Sequence, residues 1–183
     1  DEFLTPESAA ICARECAAGR APVTMANAER AILARLRAMR EEDLAPFDGG
    51  GEGLYHRFYD AVQRETTIDS ILAAAKSKRY AYARLRRLLL AAYLGVTPED
   101  TRQRVPYLRV LACNARGREV LRCMKTTAAA PVLTRSADVR RLDADTQRLF
   151  TLTARAEEQY VIAYPSLAAA KPGSAWTTDP VIL

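Results

Sequence analysis

At 183 residues, 49% apolar and 27% charged, the chain has the composition of a globular protein able to bury a core in one domain or two small lobes, and not that of a disordered segment. Its apolar residues come in short periodic groups, which excludes a bilayer-spanning run, and the opening Asp-Glu-Phe-Leu-Thr-Pro lacks the basic and apolar regions of a secretory signal, so a soluble, cytoplasmic protein with no membrane partner is expected. The net charge of +5 conceals an asymmetry: residues 76–125 carry 13 Lys/Arg against Glu99, Asp100 and Glu119, a local +10, while the remainder is −5. Such a concentration of cations points to a polyanionic partner.

Thr5-Pro6-Glu7 has a capping hydroxyl followed by proline, a helix start, and Gly19 is a stop, which predicts a helix over 6–18. Ala28, Ile32, Leu36 and Met39 share a stripe, predicting an amphipathic helix over 27–39. The acids 41–43 and Gly49-Gly50-Gly51 read as a break. From Gly53 helical periodicity returns through Leu54, Phe58, Ala61 and Val62, followed by a shorter helix over 68–75. Lys76-Ser77-Lys78-Arg79 reads as the turn into a third helix whose apolar arc is Tyr82, Leu85, Leu88, Leu89, Ala92 and Tyr93, ending at Gly95. The pair has the look of a helix-turn-helix. Arg84 and Arg87 fall outside the arc, with Arg86 at its border, so these cations are predicted to reach solvent.

Beyond Gly95, Thr97-Pro98-Glu99-Asp100 predicts one short helical turn, and the sequence then becomes α/β: a strand over 107–112, a helix over 116–125, a second strand over 131–134 and a long helix over 143–161. The β-α-β order predicts a parallel pair, to which 181–183 adds a candidate third strand. The expected fold is therefore mainly α, with the basic segment in a helical region (1–100), followed by a small α/β lobe (101–183) with a short, mostly parallel sheet. The two are expected to form one compact unit.

The chemistry-bearing residues are sparse. His56 is the sole histidine, so no second one completes a metal site, and there is neither a G-x-S-x-G elbow nor a G-K-[ST] phosphate loop. Cys12 and Cys16 share a helical face, but Cys113 and Cys123 lack zinc-pair spacing, and all four read as small buried hydrophobes. Glu41-Glu42 and Glu157-Glu158 are adjacent acids that diverge on a helix and cannot converge on one bond. No catalytic residue, metal ligand or cofactor site is assigned within these residues. The segment 76–87, with six cations, two tyrosines and no acid, is instead the pattern of an RNA or single-strand interface, cations meeting phosphates and rings stacking on unpaired bases. The candidate set is Lys76, Lys78, Arg79, Tyr80, Tyr82, Arg84, Arg86 and Arg87, with Arg109 from the strand inside the basic block.

The succession Glu52-Gly53-Leu54-x-His56-Arg57, Lys76-Ser77-Lys78-Arg79-Tyr80-x-x-x-Arg84-Leu85-x-Arg87, Pro106-Tyr107-Leu108-Arg109-Val110-Leu111, Asn114-x-x-Gly117-Arg118 and Pro131-Val132-Leu133-Thr134 resembles the C-terminal half of the bacterial tRNA(Met) cytidine acetate ligase family. The resemblance implies an N-terminal nucleotidyltransferase-like domain with an H-x-G-H motif that uses ATP, with Mg, to activate acetate for transfer to N4 of the wobble cytidine of elongator tRNA(Met). H-x-G-H is absent from this sequence. The resemblance thus implies a C-terminal, tRNA-handling fragment whose partners are tRNA and its own catalytic domain. It makes Lys76, Lys78, Arg79, Arg84 and Arg87 phosphate contacts, and leaves Glu52, Arg57, Gly117 and Arg118 as motif residues without a role. Ala81 and Ala83 stand where the family often has threonines. Two alternatives remain open on the sequence: a helix-turn-helix DNA-binding regulator, and a scaffold docking on an acidic protein partner.

Overall fold

A computed structural model describes residues 3–51, 53–104 and 106–183. The chain divides into two compact units, Asp1–Pro98 with Glu158–Pro172, and Glu99–Glu157 with Gly173–Leu183.

In the first unit, α1 (Pro6–Ala17) starts as the sequence dictates: the Thr5 hydroxyl accepts the Ser8 N–H (3.3 Å) and Pro6 occupies the first turn. Helix α2 (Glu29–Arg37) is shorter at both ends than its apolar stripe. Residues 24–27 are held outside it because Thr24 donates its backbone N–H to the Asn27 side chain (3.1 Å) and its hydroxyl to the same oxygen. The acidic run predicted as a break forms a short helix, α3 (Glu41–Leu44), continued by a 3₁₀ turn over Ala45–Phe47. Two causes are local: Asp43 accepts the Arg40 N–H (2.9 Å), and Leu44 is fully buried.

Helix α4 (Leu54–Arg64) is followed by α5 (Ile68–Ala75), capped by reciprocal Thr67 and Ser70 bonds, and by α6 (Tyr82–Leu94), closed at Gly95 in the left-handed conformation (φ 73°). Leu36, Leu44, Phe58, Ile71, Leu85 and Leu89 meet in a core from which water is wholly excluded. Burial of each such side chain stabilises the fold by about 1.5–3 kcal/mol. Residues 158–172 belong to the same unit: Ala163 joins this core and the Ser166 N–H donates to the Gly19 carbonyl (3.0 Å).

The glycine-rich stretch before α4 is pinned by Asp48. Its side chain, 2% exposed, accepts the Leu54 N–H at the start of α4 (2.8 Å), the Gly50 N–H (3.4 Å) and the Arg84 guanidinium (3.3 Å). A Cβ on Gly50 would lie 2.1 Å from an Arg84 nitrogen, so the guanidinium rests against bare backbone.

The second unit holds α7 (Pro98–Arg102, its first residue in the first unit), β1 (Leu108–Arg109), β2 (Ala112–Cys113), α8 (Ala115–Thr127), β3 (Val132–Leu133), most of α9 (Ala144–Val161), α10 (Ser174–Thr177) and β4 (Val181–Ile182). The parallel pairing expected of the β-α-β order is present between β1 and β3, with Leu108 opposite Val132. The strand predicted over 107–112 is divided, however, because it changes partners. Leu108 and Val110 donate to Pro131 and Leu133, whereas Leu111 and Cys113 accept from Val181 and Leu183. The C-terminal strand therefore pairs, in parallel, with β2 in a second two-stranded sheet. A smaller core forms from Leu133, Val139, Phe150, Ala154 and Ala175, with Trp176 edge-on to Phe150 at 4.7 Å. Asp143 caps α9 by accepting the Thr146 N–H (2.9 Å) and hydroxyl (2.7 Å).

Asp48→Ala is expected to destabilise the chain by about 1–3 kcal/mol, since it removes the acceptor of the Leu54 N–H and breaks a half-buried ion pair, and Arg84→Ala is expected to lower the urea midpoint as well. Arg87→Ala is expected to stay within about 0.5 kcal/mol of the parent.

The bonds from the Thr146 hydroxyl, then its N–H, hold the Asp143 carboxyl below its ordinary value. A lowered folded-state value contributes stability above the unfolded carboxylate range, and that stability is lost as pH falls through the folded value. The melting-temperature gap between the parent and Asp143→Ala is therefore expected to be widest near neutrality and to close below about pH 4.

Candidate nucleic-acid interface

The basic segment leaves α5 where a glycine would ordinarily close the helix, yet no glycine lies between Ala75 and Tyr82. Arg57, from α4, closes it instead. Its Nε donates to the Ala75 carbonyl (2.7 Å) and its Nη2 to those of Ala74 (3.0 Å) and Lys76 (3.2 Å). A guanidinium suits this place twice over, offering several coplanar donors and a positive charge at the negative end of the helix. Lys76 then exits in extended conformation (φ −61°, ψ 142°). Ser77 and Tyr80 close the loop on itself, Ser77 Oγ accepting the Tyr80 N–H (3.2 Å) and the Tyr80 carbonyl accepting the Ser77 N–H (3.4 Å). Lys78 and Arg79 project from the tip, both exposed.

The candidate residues separate into two sets. Lys76, Lys78, Arg79, Arg86 and Arg87 are solvent-exposed. Tyr82, read from the helical pattern as part of the apolar arc, is 40% exposed with the Lys76 ammonium 5.5 Å from its ring centroid. Tyr80, read as a ring available for stacking, is instead 7% exposed and belongs to the helical core. The guanidiniums of Arg79 and Arg84 lie 5.7 and 5.3 Å from its centroid. Arg84, predicted to reach solvent, is half-buried and ion-paired with Asp48. A helical wheel ranks residues against their own helix only, and so misses the loop at 48–51 that lies over this arginine.

Arg109 belongs to the second unit, where it donates to Glu157 (2.9 Å) and to the Ala175 carbonyl (3.0 Å) and lies over the Phe150 ring. Gly117 sits in the first turn of α8, its N–H donating to the Asn114 cap (2.9 Å). A Cβ there would meet that of Cys113 at 3.1 Å, tight enough to account for the glycine. Arg118 is exposed on α8, as are Arg116, Arg122 and Lys125. Glu52 lies outside the described residues. His56 is exposed and pairs through Nδ1 with Glu41, its ring 3.9 Å from that of Tyr55. Cys12, Cys16 and Cys123 are exposed and Cys113 is half-buried, a correction to their reading as buried hydrophobes. Among the described residues no group of His, Cys, Asp and Glu is arranged to hold a metal, and no helix is long and apolar enough to cross a membrane.

Two structural residues escaped the sequence reading: Asp48, signalled only by its place before three glycines, and the carbonyl-clamping role of Arg57, which nothing in the sequence signals.

Two cavities of the second unit bear on nucleotide binding. One, an open groove of about 470 Å³, is lined by Val110, Ala112, Cys113, Val120, Leu121 and Leu183 among others, with no charged side chain. The other contains Arg109 and Arg135 but has only about 10 Å³, room for little more than a water and far below the roughly 300–1,000 Å³ of small-molecule sites. Neither fits a nucleoside triphosphate.

Comparison with known proteins places this geometry in a family. The tRNA(Met) cytidine acetate ligase of Syntrophomonas wolfei is 27% identical over 97% of this chain and 45% of its own length. That of Kosmotoga olearia is 36% identical over 69% of this chain and 31% of its own. Crystal structures of TmcAL from Thermotoga maritima, apo and bound with alpha-thio ATP, superpose with a TM-score of 0.90 at 25% identity, covering 98% of this chain and just under half of theirs. The chain thus spans about half the length of the relatives it matches. The model of the HIGH Nucleotidyl Transferase family matches residues 1–174, and the chain belongs to that family.

Proposed function

We propose that these residues form the tRNA-binding region of a tRNA(Met) cytidine acetate ligase, with ATP-dependent activation of acetate carried out by a catalytic domain outside them. The observation that carries the reading is the loop at 76–80, anchored at both ends and followed by α6, which presents Lys76, Lys78, Arg79, Arg86 and Arg87 to solvent beside the half-exposed ring of Tyr82. Cations with an adjacent ring suit a backbone that also offers unpaired bases. The names of the relatives, tRNA(Met) cytidine acetate ligases, support the same substrate class. A single histidine cannot supply H-x-G-H, which supports a catalytic centre elsewhere.

The regulator alternative is not favoured. Six residues, 76–81, join α5 to α6, where a DNA-binding helix-turn-helix uses three or four, and Ala81 and Ala83 at the start of α6 offer methyls in place of base-reading polar groups. A scaffold for an acidic protein finds no support among the relatives.

The purified chain is expected to shift a tRNA transcript in a gel in preference to duplex DNA. With about five phosphate contacts, log K is expected to fall with log salt at a slope of roughly −3 to −5. A flat dependence would point to an apolar protein interface instead. Acetate-dependent release of pyrophosphate from ATP is expected to be absent from the chain alone, and its detection would place catalysis within these residues.

A further inference from the structure

We propose that Arg57 is a positioning residue for tRNA binding, holding the basic loop in its binding-competent form without itself meeting a phosphate; this rests on the tRNA reading above. The loop at 76–80 contains no proline or glycine to stiffen or close it and carries three cations that repel one another. It is nevertheless defined at both ends. At one end the guanidinium of Arg57 gathers the carbonyls of Ala74, Ala75 and Lys76. At the other, Tyr80 is sunk in the helical core and bonded back to Ser77.

Of the two anchors, the tyrosine is held by burial that serves the whole core, whereas the bonds of Arg57 go only to the end of α5 and the first loop residue. Its removal leaves the last carbonyls of α5 to water and frees Lys76, and with it the approach of that ammonium to the Tyr82 ring at 5.5 Å. Three of the five donors of Arg57, on Nε and Nη2, are committed to backbone, and the positioning role rests on these three; the salt slope tests whether Nη1 also meets a phosphate. A loop that is competent only part of the time binds with an affinity reduced by that fraction, while the contacts in the complex stay the same.

The two roles therefore differ in salt dependence. Arg57→Met is compared with the parent 183-residue chain and with Lys78→Ala, at a temperature where their far-UV circular dichroism coincides, using a tRNA transcript titrated across salt. If the competent population falls to about a tenth, binding weakens about tenfold. The salt slope is expected to remain that of the parent, while Lys78→Ala lowers it by about 0.7–0.9, one phosphate. Amide exchange at residues 76–80 of the free chain is expected to speed up in Arg57→Met. Arg57→Lys, which keeps the charge but cannot span three carbonyls, is expected to show a smaller loss of affinity with faster amide exchange at 76–80, and should Arg57→Met not fold it decides the matter by those two readouts, exchange unchanged from the parent overturning the inference. Parent-like affinity in the folded variant overturns the inference, and so does a slope shallower by one phosphate, which would make Arg57 a direct contact. If Lys76→Ala/Lys78→Ala binds tRNA undiminished, the tRNA reading fails and this inference with it; if that pair loses affinity and Arg57→Met does not, this inference alone is overturned.

Discussion

The first unit depends on one constraint: α6 must bury an apolar stripe while carrying three arginines. Leu85, Leu88, Leu89 and Ala92 are at most 3% exposed, against Phe58 and Leu72 at 0 and 1%. Once these leucines are inserted, the rotation of the helix is fixed, and every other position on it is assigned by geometry to core, border or solvent. Arg86 and Arg87 face out for this reason alone. Truncating either central leucine would remove about 2–5 kcal/mol, comparable to a large part of the stability of a small domain.

A cluster of like charges on so short a segment opposes its own folding, and the structure offsets this by giving some of the cations internal work. Arg84 is paired with Asp48, and a further cation from outside the segment, Arg57 of α4, is spread over three carbonyls at the negative end of α5. Tyr80 contributes a buried ring with a guanidinium 5.3–5.7 Å from its centroid on each of two contacts. Ordering a basic loop before a polyanion arrives avoids ordering it at the moment of binding, the usual advantage of preorganisation.

The second unit shows a different economy of backbone. The run from Leu108 to Cys113 serves two partners in succession, β3 through its amides and then β4 through its carbonyls, so that each parallel pairing is only two residues long. Pairings this short add little on their own. The core of Leu133, Val139, Phe150, Ala154 and Ala175, with Arg109 bridging Glu157 and the Ala175 carbonyl, ties these elements together.

The sequence by itself determined the helices of the first unit apart from α3, whose acidic run reads as a break, because each of the others is written in local terms: a capping hydroxyl at Thr5 or Thr67, a period of 3.6 through Phe58, Val62 or Leu85, Leu89, a glycine at 95. It determined equally the parallel pairing of the segments at 108 and 132 and the placing of positive charge between residues 76 and 125, since charge is a property of composition. What only the tertiary structure decided was the use of individual side chains. Tyr80 and Tyr82 are two residues apart with the same chemistry, yet one is core and the other half-exposed; Arg84 and Arg87 lie on the same helix, yet one is an internal ion pair and the other free to solvent. The first outcome was set by the helical core that takes up the Tyr80 ring and the second by Asp48, 36 residues upstream of Arg84, just as the end of α5 is closed by Arg57, 17 to 19 residues before the carbonyls it clamps. Contacts at such separations leave no periodic trace in a sequence, because what selects them is the packing of one helix on another and not the spacing of residues along either.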